Sequence, residues 1–156
     1  MTRYRSELVA TLAARGFIHQ GTDLEALDAA AGAGPITGYI GFDATADCLH
    51  VGSLVQIMLL RILQRTGHRP IALLGGGTTK VGDPSVRDES RPLLTDAQIE
   101  ANKAGIQRSL AKFLDFGATG AVLADNAEWL DHLEYIPFLR DFGTHFTINR
   151  MLTFDS

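Results

Sequence analysis

The chain has 156 residues, a length that suits one domain with a hydrophobic core and is short for two. Hydrophobic residues make up 46% and charged residues 21%, as in ordinary soluble globular chains. The formal net charge of −4 argues against a basic surface over the whole protein that would bind nucleic acid, although it permits a local basic patch.

Two helices are predicted at the N-terminus. Residues 6–15 carry apolar side chains on one face and end at Gly16, a pattern typical of a short amphipathic helix. A second helix is predicted from a cap at Thr22 or Asp23 through Ala30.

A strand–helix–strand unit is predicted next. Residues 36–42 indicate a buried strand, and residues 71–74 indicate a second, fully apolar strand, as in a parallel sheet covered on both faces. Residues 52–64 are apolar nearly all round, which predicts a helix enclosed in a core and ended by Gly67. The spacing is that of a right-handed βαβ unit.

Residues 75–94 are rich in glycine and charge without a hydrophobic period, which predicts a long loop that is functional or disordered. Thr95 begins a helix that runs to about Phe116, and Gln98 completes a capping-box pattern. Residues 121–124 are a candidate third strand.

Two short helices follow, one capped by Asn126 around Trp129 and one over residues 134–142. Together these elements predict an α/β fold, a Rossmann-like parallel sheet with flanking helices. We expect residues 1–156 to form a single partial nucleotide-binding domain that begins with the N-terminal helices in residues 1–34.

Residues 39–53 combine a strand end, polar side chains and a helix start, which is how α/β domains build phosphate sites. Gly52 lets a flat ring or a phosphate approach the backbone, and His50 can donate to a phosphate oxygen. With Thr45, His50 would stabilise charge that builds on pyrophosphate as the α-phosphorus of a nucleotide is attacked. The alternative is a helix-capping threonine and a histidine with a structural bond.

Gly41 and Asp43 lie at the C-terminal end of the first strand, where α/β sheets place ligands. Gly41 permits a ligand to approach the backbone closely, and Asp43 could face a ribose hydroxyl or an ammonium group; a turn-stabilising aspartate is the alternative. Tyr39 lies within the strand and, from the sequence alone, is an ordinary core aromatic residue whose hydroxyl finds a partner.

The long loop contains Asp83, Arg87 and Arg91. From the sequence alone, Asp83 is a turn aspartate and the two arginines belong to a solvated charged loop. The glycine run at residues 75–77 fits neither the P-loop nor the dinucleotide-binding pattern.

No metal-ligand spacing is visible among the five histidines and one cysteine, so no protein-bound metal is predicted. Cys48 cannot form an internal disulfide and is expected to be a small packed residue, which fits a reducing compartment. No apolar run approaches the roughly 20 residues of a membrane span, and the N-terminus predicts a helix and not a signal peptide. A cytoplasmic location without membrane contact is expected.

These motifs resemble the bacterial-type tyrosyl-tRNA synthetases, which are class I aminoacyl-tRNA synthetases. Residues 39–53 are similar to the His-Ile-Gly-His signature of that class, and the sequence Gly-Asp-Pro-Ser at residues 82–85 narrows the resemblance. The similarity covers nearly the whole chain and continues through residues 126–129, 138–143 and 145–149.

The resemblance implies an amino-acid pocket for L-tyrosine. In the family, the residue at Tyr39 hydrogen-bonds the phenol of the substrate, and the residue at Asp83 binds its α-ammonium group. Thr78 and Asn126 would line the same pocket. Selectivity against phenylalanine then follows because the apolar analogue leaves buried polar groups unpaired, an effect for which this family is the established example.

The resemblance also implies an ATP site and a catalytic set. Ser53 stands where the signature usually ends in histidine or asparagine, and Val86 and Arg87 stand where glycine and lysine are usual. In the family, basic residues at Arg87 and Arg91 clamp pyrophosphate from a mobile loop. The catalytic residues are therefore expected to be Thr45, His50, Arg87 and Arg91, and the ATP-binding residues Gly41, Asp43, Thr45, His50, Gly52 and Ser53.

The implied reaction is the attack of tyrosine on the α-phosphate of ATP, with Mg²⁺ held mainly by the ATP phosphates, and transfer to the 3′-terminal adenosine of tRNA(Tyr). The complete enzyme is expected to be a cytoplasmic homodimer. The family continues well beyond Ser156, with the rest of the tyrosine pocket, a Lys-Met-Ser-Lys-Ser-like loop and a tRNA-binding domain. We therefore expect a fragment or a truncated gene product, with little or no aminoacylation by these residues alone.

Two alternatives stay open. One is a catalytically inactive remnant that binds a nucleotide, tyrosine or a partner, which Ser53 and Val86 favour. The other is a nucleotidylyltransferase, which shares the His-x-Gly-His phosphate site but which Tyr39 and residues 82–85 argue against. A pure tRNA-binding module fits least, given the acidic balance.

Overall fold

The computed structural model describes residues 4–81 and 93–152 of the chain. Within these residues, three parallel strands form one sheet in the order β1-β2-β3. The predicted α/β class, a Rossmann-like parallel sheet with flanking helices, is confirmed. The strands are β1 (Thr37–Asp43), β2 (Arg69–Gly75) and β3 (Val122–Asp125).

Helices connect and follow the strands. Two short 3₁₀ turns occupy Val51–Ser53 and Gly143–His145. In chain order the α-helices are α1 (Glu7–Ala14), α2 (Leu24–Ala33), α3 (Leu54–Arg65), α4 (Gly76–Val81), α5 (Asp96–Leu110), α6 (Ala127–Leu130), α7 (Tyr135–Asp141) and α8 (Ile148–Met151). In the described part of the chain, none of them combines the length and apolarity needed to cross a membrane.

Local signals set most helix ends as predicted. The side chains of Ser6 and Asp23 accept hydrogen bonds from backbone N–H groups three residues further on, at 3.2 and 2.8 Å. Thr95 forms the predicted capping box at the start of α5. Gly16 and Gly67 follow α1 and α3 with φ of 72° and 82°, the left-handed conformation that glycine adopts at low cost.

One face of the sheet carries the hydrophobic core. Phe42 of β1 and Ala72 and Leu74 of β2 point to this face and are buried. Because both covering helices pack on the same side, α3 and α5 share one core with these strands. Their buried core residues are Ile57, Leu60, Ile99, Ile106 and Leu110.

The opposite face of the sheet is more open. Tyr39 is 70% exposed, and its neighbours Ile71 and Leu73 on β2 are only partly buried. The prediction of a buried strand at residues 36–42 is therefore wrong for this face, because β1 lies at the edge of the described sheet and α3 and α5 pack on the other side.

Helix α3 is not enclosed on all sides, contrary to its apolar sequence. Val55 is 58% exposed, and the buried residues Ile57, Leu60 and Ile62 lie toward the rest of the fold. The prediction that residues 52–64 are enclosed is wrong for the described part of the chain, because composition alone does not reveal how many neighbours a helix has.

Other boundaries also differ from the prediction, since α2 runs to Ala33 and not to Ala30, and β2 begins at Arg69 and not at residue 71. Residues 76–81 form α4, so the predicted loop over 75–94 is wrong there, and residues 82–92 lie outside the described residues. Helix α5 ends at Leu110 and not near Phe116. Contacts with α3 explain why α5 ends there.

The chain leaves α5 early because side chains of α3 bind the backbone that follows it. The amide of Gln64 donates to the carbonyl of Asp115 at 2.7 Å and accepts from the Asp115 N–H at 3.1 Å. Arg61 donates to the carbonyl of Phe113. These bonds replace helical hydrogen bonds and satisfy the backbone of the turn.

Helix α5 presses against the bend after β1 at Gly105, where a Cβ would overlap the backbone carbonyl of Asp47. We expect Gly105→Ala to destabilise the fold by about 1–3 kcal/mol, because the helix or the bend must move apart. Gly32→Ala is the matched control, since a Cβ there meets open space within α2, and should stabilise by up to about 1 kcal/mol. Urea unfolding of both variants measures the difference; equal effects would contradict the packing argument.

Candidate functional site

Polar groups gather at the C-terminal edge of the sheet. Asp43 ends β1 and Gly75 ends β2, and the two are register partners. A Cβ placed on Gly75 would lie 3.1 Å from Oδ1 of Asp43 and 2.8 Å from Oγ1 of Thr78. The fold therefore brings together Asp43 and Thr78, which the sequence assigned to the two different halves of the site.

Asn126, just after β3, bonds to the first turn of α4, which follows the neighbouring strand β2. Its Oδ1 accepts hydrogen bonds from the N–H groups of Gly77 at 2.7 Å and Thr78 at 3.4 Å, and its Nδ2 donates to Oγ1 of Thr78 at 3.1 Å. Asn126 is 7% exposed. It stands at the predicted N-cap position of α6 but makes no side-chain capping bond there, because its amide is engaged with α4.

Asp125 completes this arrangement. Its Oδ1 accepts from the N–H groups of Gly76 at 3.1 Å and Ala127 at 3.0 Å, and its Oδ2 accepts from Nζ of Lys103, which also donates to Glu100 at 2.5 Å. Burial raises the pKa of Asp125, but the bonds from Lys103, Ala127 and Gly76 outweigh burial and hold the pKa below its ordinary value.

The pKa of Lys103 moves in the opposite direction. Burial lowers it, but the carboxylates of Asp125 and Glu100 outweigh burial and raise the pKa above its ordinary value. Lys103 and Asp125 are therefore both charged over the whole neutral range. The ion pair contacts the first turn of α4, because Asp125 accepts the N–H of Gly76.

The glycine run does not offer its amides to a phosphate in this structure. The N–H groups of Gly76, Gly77 and Thr78 are bonded to the side chains of Asp125 and Asn126. A P-loop requires such amides to point at the ligand. The geometry thus agrees with the sequence pattern in excluding a P-loop at residues 75–77.

His50 lies at the start of the helical segment that follows β1, where it was expected. Its Nδ1 accepts from the N–H of Gly52 at 2.9 Å, so the neutral ring carries its proton on Nε2. A Cβ on Gly52 would lie 2.5 Å from Cε1 of His50, so only glycine leaves room for this ring position. His50 is exposed and presents an N–H donor to solvent.

The bend that carries Thr45 is fixed at its first residue. Ala44 is fully buried, its N–H donates to Oγ1 of Thr79 at 3.0 Å, and its carbonyl accepts from Nδ2 of Asn102 at 2.8 Å. Thr45 itself is exposed. Cys48, further along this bend, is also exposed, so the expectation that it is packed is wrong.

The remaining predicted residues divide into three groups. Tyr39 and Gly41 lie on the open face of the sheet with Asp43, since alternate residues of a strand share a face. Ser53 ends the 3₁₀ turn after His50 and makes no side-chain capping bond. Three predicted residues, Asp83, Arg87 and Arg91, lie outside the described residues.

Four residues that position the site were not singled out from the sequence. Asp125 is the last residue of β3, so the rule that ligands bind at strand ends could have found it. Thr79, Asn102 and Lys103 sit on helices and reach partners 35, 58 and 22 residues away. No local pattern reveals such long-range pairs.

Among residues 4–81 and 93–152, no group of three or more histidine, cysteine or acidic side chains is arranged to hold a metal ion. Trp129, for which packing was expected, is 47% exposed.

The comparisons with known proteins agree with the motifs. Residues 31–156 match the family described as tRNA synthetases class I (W and Y). The tyrosine–tRNA ligase of Rhodospirillum rubrum is 65% identical over 158 residues, which cover 100% of this chain and 38% of that protein. The tyrosine–tRNA ligase of Xanthobacter autotrophicus is 66% identical over 98% of this chain and 36% of its own length. The chain thus spans less than two fifths of the curated relatives that it matches.

Solved structures give the same result. A C-terminally truncated mitochondrial tyrosyl-tRNA synthetase of Aspergillus nidulans superposes with a TM-score of 0.80 at 29% identity, over 97% of this chain and 46% of that one. The equivalent protein of Coccidioides posadasii gives a TM-score of 0.77 at 25% identity, over 97% of this chain and 44% of its own.

Asn126 should be needed for stability. We expect Asn126→Ala to lower the free energy of unfolding by about 1–3 kcal/mol, because the buried N–H of Gly77 loses its acceptor. Asn149→Ala, at an exposed position, is the matched control and should change it little. Chemical denaturation of both variants provides the measurement, and equal losses would contradict the assigned role.

The Asp125 carboxylate should make stability depend on acid pH. Its folded pKa lies below the ordinary 3.8, so its stabilising effect is complete above that value and is lost as the pH falls through the folded pKa. We therefore expect the difference in unfolding free energy between wild type and Asp125→Asn to be constant near neutral pH and to shrink below about pH 4. A difference that grows toward acid pH would contradict this sign.

Proposed function

This chain belongs to the class I tRNA synthetases of the W and Y family, and we propose that it carries part of the amino-acid activation site of a tyrosine–tRNA ligase. One observation carries the proposal furthest. Asp43, Thr78 and Asn126 converge at the C-terminal edge of adjacent parallel strands, and His50 starts the helical segment that follows the first of these strands. The relatives with 65% and 66% identity are tyrosine–tRNA ligases, which supports tyrosine as the substrate.

On the nucleotide side, ATP binds along the bend and helix start after β1. The exposed Nε2–H of His50 is a suitable donor to a phosphate oxygen, and Thr45 lies in the bend before it. Gly41, Asp43, Gly52 and Ser53 complete this set. Arg87 and Arg91 neutralise charge on the departing pyrophosphate in the proposed mechanism.

On the amino-acid side, tyrosine binds over the open face of the sheet. The 70% exposed side chain of Tyr39 supports this, because its hydroxyl is free to meet a ligand there. Thr78 and Asn126 form one wall, and Asp83 pairs with the α-ammonium group. The carboxylate of the bound tyrosine attacks the α-phosphorus of ATP in line and releases pyrophosphate, which leaves tyrosyl-adenylate.

The complete enzyme transfers the tyrosyl group to tRNA(Tyr). Mg²⁺ enters with ATP and is held mainly by the phosphates, without a metal site formed by the protein alone. A cytoplasmic homodimer without membrane contact is the proposed setting. These properties belong to the whole protein. The relatives that match this chain are more than twice as long as it is.

The function is tested by amino-acid-dependent ATP–pyrophosphate exchange in the full-length protein. We expect exchange with tyrosine, and little with tryptophan or phenylalanine, which lack the phenol hydroxyl. His50→Ala should reduce the rate by about 10²–10³-fold, the usual cost of one donor to a developing anion. His19→Ala, at an exposed site near the N-terminus, is the matched control.

The outcomes separate the candidates. Exchange with tryptophan and not tyrosine would assign the other substrate of the family. Binding of ATP and tyrosine by a folded protein without any exchange would identify an inactive remnant, the alternative that Ser53 favours by its departure from the signature.

A further inference from the structure

Helix α5 contacts both halves of the site through consecutive residues. Nδ2 of Asn102 donates to the carbonyl of Ala44 at 2.8 Å, on the bend that leads to Thr45. Nζ of Lys103 pairs with Asp125, behind the first turn of α4. Adjacent side chains of one helix thus reach the C-terminal ends of two different strands, at Ala44 just after β1 and at Asp125, the last residue of β3.

The contact at Ala44 leaves the bend little freedom. Both backbone polar groups of this buried residue are bonded, the N–H to Thr79 and the carbonyl to Asn102. Gly105, one turn further along α5, lies against the carbonyl of Asp47. The start of the bend between Asp43 and His50 is therefore held by both α4 and α5, and its middle is held by α5.

The contact at Asp125 is equally close. Oδ1 faces the N–H of Gly76, where a Cβ would overlap the carboxylate, and Oδ2 faces Lys103. The side chains of Lys103 and Asp125 are each only 15% exposed, so water competes weakly for the pair. Without the lysine, the carboxylate keeps only the N–H groups of Gly76 and Ala127 as partners. Its hold on the first residue of α4 then weakens, while Asn126 still holds the next two residues.

We propose that Asn102 and Lys103 are positioning residues with separate tasks, Asn102 for the ATP side of the site and Lys103 for the amino-acid side. This inference rests on the proposed function for its kinetic test. Neither residue touches substrate; Asn102 acts through the backbone of Ala44, and Lys103 acts through Asp125 and Gly76. Reacting groups misplaced by about 1 Å can cost about 100-fold in rate, so such support is functionally significant.

The kinetic test measures tyrosine-dependent ATP–pyrophosphate exchange in the full-length protein while each substrate is varied. Lys103→Met should raise the KM for tyrosine by about 3–30-fold and leave the KM for ATP within about twofold. Asn102→Ala should raise the KM for ATP by a similar factor and leave the KM for tyrosine within about twofold. Lys112→Met and Asn149→Ala, both at exposed positions, are the matched controls and should change neither constant.

A second variant separates positioning from a general loss of structure. Asp125→Asn keeps an acceptor for the N–H of Gly76 but breaks the ion pair, so it should reproduce the rise in the KM for tyrosine. The double variant Lys103→Met with Asp125→Asn should be no worse than either single one, because both act through one pair. Additive effects, or equal changes in both KM values for each variant, would overturn the proposal.

Amide hydrogen exchange tests the contact between Lys103 and Asp125 and does not require an active enzyme. Lys103→Met should speed exchange at Gly76, whose N–H donates to Asp125, and leave the core amide of Ile106 unchanged. If the wild-type protein shows no tyrosine-dependent exchange of pyrophosphate, the proposed function fails while this measurement still stands. Unchanged amide exchange at Gly76 would overturn the role of Lys103.

Discussion

The arrangement of the site depends on one constraint, which is that the first turn of α4 is capped by another part of the chain. Its N–H groups at Gly76, Gly77 and Thr78 bond to side chains at the end of β3, those of its last residue, Asp125, and of Asn126, which follows it. Parallel pairing of β2 with β3 brings these segments together, because the C-terminal ends of parallel strands meet at one edge. Secondary structure and site geometry are therefore inseparable here: the capping residues orient Thr78 and shape the space beside Asp43.

The one-sided packing of the sheet has a related consequence. Helices α3 and α5 bury the face that carries Phe42 and Leu74, and they leave the face of Tyr39 accessible. The core face supplies stability by removing apolar surface from water. The open face keeps polar and aromatic groups available near the strand ends. Helix α5 serves both purposes, because its apolar side enters the core while Asn102 and Lys103 reach the C-terminal ends of β1 and β3.

Much of the architecture could be predicted from local signals. Side-chain caps at Ser6, Asp23 and Thr95 satisfy amides only a few residues away, so the sequence contains the whole interaction. The end of α5 could not be predicted, because Gln64 of α3 binds the backbone beyond it. Within the candidate site, the motif identified His50, whose partner Gly52 is only two residues away, and Asn126, whose acceptor role depended on Gly77, a neighbour brought by the fold.

The sequence by itself determined the alternation of strands and helices, the helix starts and the family signature, because each depends on residue types at fixed short spacings. Only the tertiary structure decided that α4 forms within a glycine-rich stretch, that Tyr39 faces outward and that Lys103 stands behind Asp125. These features depend on which surfaces meet in space. Contacts between residues 22 to 58 positions apart leave no periodic trace in the chain, since any compatible polar pair would serve at those positions.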